Sequence, residues 1–227
     1  MKLVLTCEHA FNSIPQEYKN LFINAEEVLE SHRGYDPGAL NLFRKLEALA
    51  SFTKLQEASR LLIEVNRSKA HPYLFSEFTR KLSLHQKSKI FDQFYLPYRR
   101  AVEKKVLEYT RTGEKVLHLS VHTFTPELNG NIRNTDIGIL YNPKRQKEKA
   151  FSRSFKGNLQ YQKPDLKVRF NYPYLGKADG FTTYLRKKFP ENYLGIELEV
   201  NQKFVSKNQM DHQINNAVFW ALKGLLK

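Results

Sequence analysis

Cysteine is nearly missing from this sequence: Cys7 is the only one in 227 residues. No disulfide can form within the chain, and nothing points to an oxidising compartment. Long apolar runs are missing too, since no segment approaches the ~20 residues that a membrane span needs. The apolar stretch at the N-terminus is too short for a secretory signal. Internal repeats, low-complexity segments and convincing linkers are also absent. These absences lead us to expect a cytoplasmic protein, with residues 1–227 forming one domain.

Acidic residues are the minority charge, with 23 Asp and Glu against 37 Lys and Arg, a net charge of +14 and a sequence pI near 9.7. A balance of this kind suits nucleic acid, an anionic surface or an acidic small substrate, or is simply a basic solvated surface. The basic residues are scattered and form no arm or tail. Aromatics are plentiful, at 16 Phe and 12 Tyr, and 41% of residues are hydrophobic. That is the composition of a folded protein with a sizeable core.

Short apolar or alternating runs predict strands at residues 2–6, 52–56, 60–65, 116–121, 136–141, 166–170 and 193–200. Helices are expected between them. Asp36-Pro37 reads as an N-cap opening a helix over 38–50. The stretch 87–111 has helical spacing, with Pro97 as a kink or break, and 179–189 and 207–226 complete the set. The basic stretch 142–149 reads as a surface loop or helix start. Strand–helix alternation predicts an α/β domain in layers around a mixed, mostly parallel sheet.

Ligands of such sheets bind beyond the carboxyl ends of the strands, so the polar residues there form one candidate site. The first strand delivers Cys7-Glu8-His9, the 60–65 segment Asn66-Arg67-Ser68, and the 116–121 strand His122-Thr123. The last strand carries Glu197 and Glu199 on one face. His32 to Asp36 lies between the first two segments. Two imidazoles and a carboxylate are a common ligand set for catalytic zinc. A further carboxylate can act as general base, and an Arg beside an Asn offers a fork and an amide for a substrate carboxylate. There is no HExxH, G-x-S-x-G, P-loop or GxGxxG pattern. Cys7 reads as a buried inert thiol, and His118, one strand face with His122, as structural.

Seven ordered segments resemble the N-formylglutamate amidohydrolase family: CEHAFNSIP (7–15), HRGYDPGA (32–39), RLLIEVNRS (60–68), HLSVHTFTPELNG (118–130), DIGILYN (136–142), NYPYLGKADGFT (171–182) and GIELEVNQ (195–202). The resemblance implies a three-layer α/β fold like that of the zinc-dependent exopeptidases of the carboxypeptidase kind, the phosphorylase/hydrolase-like fold. It also implies hydrolysis of N-formyl-L-glutamate to formate and glutamate. His9 and His122 would be metal ligands. The related exopeptidases take an acid three residues after their first His, where this chain has Asn12. The third ligand is therefore expected to be Asp36, with Glu8 in reserve as a ligand or as a group orienting His9. The general base would be Glu199, by alignment through Gln202, or Glu197. Asn66 and Arg67, with Arg60, would hold the substrate carboxylate, and Tyr174 could donate a hydrogen bond from a loop at 171–180.

The expected function is metal-dependent hydrolysis of the amide of a small anionic N-acyl amino acid, with one divalent ion, zinc by preference, and no membrane partner. A second reading is a basic nucleic-acid-binding protein on a hydrolase-like fold, favoured by charge and aromatics but without a binding motif. A third is an amidohydrolase for a different N-acyl or peptide-like amide.

Overall fold

The computed structural model describes residues 1–226. In chain order its elements are β1 (Lys2–Cys7), α1 (Glu26–Glu30), α2 (Ala39–Leu46), β2 (Phe52–Leu55), α3 (Leu84–Ile90), α4 (Leu96–Arg111), β3 (Val116–Phe124), β4 (Glu127–Leu128), β5 (Asn131–Ile132), β6 (Ile137–Leu140), α5 (Gln146–Gln162), β7 (Val168–Phe170), α6 (Phe181–Lys188), β8 (Tyr193–Asn201), β9 (Val205–Ser206), β10 (Gln209–Met210) and α7 (His212–Lys223). Among the described residues, six strands form one sheet in the order β2-β1-β3-β8-β6-β7. Its pairs are parallel except β6 with β8. The expected α/β fold with a mixed, mostly parallel sheet is what the chain adopts.

Alternation along the strands divides the core in two. Leu3, Leu5, Leu117, Leu119, Val121, Ile196 and Leu198 face one way, onto Leu42 and Phe43 of α2, Phe155 of α5 and Val218 of α7. Val4, Val116 and Tyr193 face the other way, onto Val102 and Val106 of α4 and Phe181 and Leu185 of α6. The sheet is therefore covered on both sides, as parallel strands require. On this second face the residues toward the strand C-termini turn polar, and that change of character prepares the site.

Two expectations need correction and two hold. Residues 60–65 are not a strand; they run through tight turns, with the Leu62 N–H donating to Ser59 O at 2.9 Å and the Glu64 N–H to Leu74 O at 2.9 Å. Leu61, Leu62, Ile63 and Val65 are buried in the second core cluster, and a short buried apolar run reads as strand whatever backbone carries it. Asp36 does not cap the following helix. The cap position falls on Gly38, at φ 79°, where an added Cβ would meet Val205 Cγ2 at 2.6 Å. Pro97 marks the expected irregularity in the 87–111 stretch: a π-turn at Phe91–Tyr95 precedes it and leaves it in the first turn of α4, where no N–H is needed. The basic stretch at 142–149 is the expected loop and helix start: α5 opens at Gln146 and runs for 17 residues.

A buried ion pair ties the far edge of this second face together. The Arg186 Nε donates to both Glu148 oxygens at 3.0 and 3.1 Å, and its terminal nitrogens reach Gly176 O at 2.5 Å and Gly195 O at 2.7 Å. Glu148 in turn accepts the Gly195 and Asn142 N–H groups. One guanidinium thus fastens α5, α6, β8 and the 171–180 loop. With Glu148 0% and Arg186 5% exposed, removing the cation leaves a buried carboxylate with only the part-exposed Arg145, 3.2 Å away, as its charged partner. Arg186→Met is expected to cost about 3–5 kcal/mol in urea unfolding; an unchanged midpoint would refute that role.

Candidate active site

On β3, His118, Ser120 and His122 share one face, and the register sets Thr6 of β1 beside Ser120, Glu197 of β8 beside Ser120 and Glu199 beside His122. The strand pairing alone brings His122 next to Glu199. His9 follows β1, and the Asp36 N–H donates to its carbonyl at 2.9 Å, which fixes the Asp36 loop against it.

The structure brings His9, Asp36 and His122 together as a buried group whose donor atoms lie within 4.8 Å of one another, a set that could hold a metal ion. Asp36 Oδ2 is 3.0 Å from His122 Nδ1 and 3.3 Å from His9 Nδ1. The opposite ring nitrogens are engaged elsewhere. His9 Nε2 lies 2.7 Å from Glu64 Oε1, and His122 Nε2 lies 2.8 Å from Ser120 Oγ and 3.2 Å from Glu8 Oε2. A carboxylate behind each imidazole orients the ring and leaves its other nitrogen facing the shared Asp36 oxygen, the arrangement that supports metal-ligating histidines.

The charges point the same way. Burial would raise the Glu8 carboxyl, yet the hydrogen bond and charge of His122 hold it far below the usual range. Asp36 likewise overcomes burial through His9 and His122, and Glu64 through Arg60 and His9. His122, which burial alone would depress, is pushed well above its ordinary value by Asp36 and Glu8. Glu199 has no such partner. Its Oε2 is buried without a hydrogen bond, and burial, with Asp36 and Glu197 nearby, pushes it up to about 8. Glu8, Asp36 and Glu64 thus face the Arg60 guanidinium and the His122 imidazole, a surplus of negative charge, and Glu199 Oε2 is the one buried oxygen of the group without a hydrogen bond. A divalent cation among His9, Asp36 and His122 fits that surplus.

These groups open into a cavity of about 450 Å³, lined also by Arg60, Asn66, Arg67, Phe124, Leu128, Tyr174, Asp179 and Glu197. Asn66 Oδ1 accepts the Phe181 N–H at 2.8 Å, and the Arg67 guanidinium donates to Asp179 O at 2.7 Å. Tyr95 Oη and Arg99 donate to the Arg67 carbonyl at 2.8 and 3.0 Å and hold this loop from below. Arg60 is committed to Glu64, at 2.6 and 2.9 Å, and to Asp36 at 3.4 Å. Glu197 accepts the Thr182 hydroxyl. Tyr174, on the 171–180 loop, is half exposed at the mouth.

Glu8 lies behind His122, 0% exposed, held by Tyr98 Oη at 2.8 Å and by Ser120. Asn12 turns outward to Glu30. Cys7 is buried, with its thiol pushed up by burial, and His118 is a neutral core group, lowered to about 4 by burial and bonded to Thr6 and Tyr193. Sequence reasoning missed Glu64, Ser120, Tyr98, Thr182 and Arg133. A signal for Glu64 was present: a lone acid within the apolar run 61–65 must be paired if the run is buried.

An open mixed sheet with its polar side chains gathered at the strand ends is the build of an α/β protein that takes its ligand beyond the carboxyl ends of the strands. The family model of the N-formylglutamate amidohydrolases matches residues 1–206. The chain belongs to that family, a membership that supports an amidohydrolase activity. It is similar to a gene product of Agrobacterium tumefaciens of known crystal structure, with 28% identity, a TM-score of 0.82, and 99% of this chain and 90% of that one covered. In fold it is also similar to an N-formylglutamate amidohydrolase from Ralstonia eutropha, at 15% identity, TM-score 0.75, and 100% and 93% coverage. No curated protein matches it in sequence. No helix among the described residues is long and apolar enough to cross a membrane.

The Glu199 shift has a consequence for stability. The folded state binds this proton more tightly than the unfolded chain, so its contribution is complete below pH 4.5 and is lost as pH rises through about 8. After chelation of metal, Glu199→Gln should gain on the wild type over that interval, by on the order of a few kcal/mol in urea unfolding. Parallel pH profiles for the two proteins would contradict the shift.

Proposed function

We propose that the chain is a metal-dependent hydrolase of the amide of a small N-acyl amino acid, N-formyl-L-glutamate by preference. The buried His9–Asp36–His122 group beside the partnerless Glu199 oxygen is the observation that carries this reading. His9, Asp36 and His122 would hold one divalent ion, zinc by the chemistry of two imidazoles and a carboxylate. When bound, the ion polarises the scissile carbonyl and lowers the pKa of water from 15.7 toward about 7.

The chain's own groups supply the rest. Glu199 takes a proton from the attacking water at its free Oε2 and passes it to the amide nitrogen as the C–N bond breaks. The products are formate and the amino acid, with the water's oxygen in the formate. The buried Glu199 Oε2 has no hydrogen-bond partner to compete for the proton between its uptake and its release. Glu197, tied to Thr182, flanks the base on the same strand face. Asn66 and Arg67 anchor the carboxylate next to the amide by an amide and a guanidinium fork. Arg60, already bound to Glu64 and Asp36, braces the wall beside them, and Tyr174 closes the mouth with its hydroxyl.

Formate release from N-formyl-L-glutamate tests the proposal. Turnover is expected to stop on chelation and to return with zinc. Glu199→Gln should lower kcat by roughly 10²–10⁴-fold while zinc still binds. No release from any N-formyl or N-acetyl amino acid after zinc loading would reject the function, and full activity of Glu199→Gln would reject the base.

A further inference from the structure

Three guanidinium groups approach the cavity and they are not equivalent. Arg60 is neutralised by Glu64 and Asp36. Arg67 and Arg133 form no ion pair among the described residues; Arg67 donates to a carbonyl, and Arg133 donates to Thr125 Oγ1 at 3.3 Å and Tyr174 Oη at 3.4 Å. Arg67 matched the sequence pattern for holding a carboxylate. Arg133 matched nothing, yet its position is built with care.

The Arg133 N–H donates to Pro126 O at 2.7 Å, closing the β4–β5 hairpin, and its carbonyl accepts from Asn201 Nδ2 at 3.0 Å at the end of β8. The backbone is thus pinned to the strand that carries Glu199. The side chain lies over Tyr174 at 5.4 Å and Phe124 at 6.0 Å from the ring centres. Phe124, Thr125 and Tyr174 all line the cavity. Every contact of this half-buried cation is neutral, and its two side-chain hydrogen bonds are long. Its strongest donors therefore remain to be used, in a setting where charge-assisted bonds gain from reduced solvent.

We infer that Arg133 is a specificity residue that reads a second carboxylate on the substrate, distinct from the one held by Asn66 and Arg67. The inference rests on the proposed amidohydrolase reading. An N-acyl amino acid with an acidic side chain presents two carboxylates; Arg67 lines the cavity unpaired, and Arg133, equally unpaired, stands directly behind the lining side chains of Thr125 and Tyr174. A neutral amide in place of the side-chain carboxylate would leave Arg133 without its anion, which is how a site built for a polar group rejects a near-isostere. Tyr174, released from Arg133 when the anion arrives, keeps its hydroxyl free for the substrate.

The test compares N-formyl-L-glutamate with N-formyl-L-glutamine on the zinc-loaded wild type, Arg133→Gln and Arg133→Lys. The wild type should prefer the glutamate substrate. Arg133→Gln should lower that preference in kcat/KM by about tenfold or more, chiefly through KM, and Arg133→Lys should restore part of it. A preference that survives in Arg133→Gln, or that the wild type lacks, overturns the inference while leaving amidohydrolase activity intact. Calorimetric binding of L-glutamate and L-glutamine to the same proteins gives the answer without turnover. If no formyl amide is cleaved, glutamate selectivity lost in Arg133→Gln still supports the role of Arg133, and equal binding of the two amino acids refutes it.

Discussion

One carboxylate oxygen, Asp36 Oδ2, faces the Nδ1 atoms of two imidazoles, and the rest of the site is arranged around that convergence. Three donors this close, in a pocket with a surplus of buried carboxylates, call for a cation at their centre. Glu64 and Glu8 occupy the far nitrogens of His9 and His122 and keep both rings turned inward. Arg60 offsets part of the negative charge from one side. Glu199 receives no such help, and its elevated pKa is the direct result of sitting beside this group without a partner.

The fold supplies the convergence through simple periodicity. Alternation puts Leu119 and Val121 of β3 into one core cluster and leaves Ser120 and His122 on the opposite face. The parallel register of β1, β3 and β8 then sets Glu8, His122 and Glu199 at neighbouring strand ends. Asp36 arrives from outside the sheet, which is why its loop needs the hydrogen bond to the His9 carbonyl and why the helix start falls instead on Gly38. On the other wall, the Arg186–Glu148 pair holds the loop that carries Tyr174. The geometry of the site is a consequence of how the core is tied.

The strands of the sheet were legible because β-branched and apolar runs ended in polar residues at regular points. His9 and His122 stood out for the same reason, as chemistry-bearing side chains after apolar runs; Asp36 and Glu199 were reached through the family resemblance, the first because Asn12 stands where an acid is expected and the second by alignment through Gln202. The turns at 60–65 escaped detection, since a buried apolar run carries no period that separates strand from coil. Glu64 was hidden by that misreading, its acid counted as part of a strand. Arg133 could not be seen at all. Its meaning lies in contacts with Thr125, Tyr174 and Asn201, and a guanidinium that makes only neutral contacts is recognisable only once its surroundings are known.

The central claim is that two imidazoles and Asp36 bind one divalent ion. A crystal of the zinc-loaded protein, measured at the zinc edge for anomalous scattering, tests it directly. The account predicts one strong peak per chain, bonded to His9 Nδ1, His122 Nδ1 and the Asp36 carboxylate, with Glu64 and Glu8 remaining on the Nε2 atoms. A chain without a peak there, or a peak held by Glu8 in place of Asp36, would contradict it.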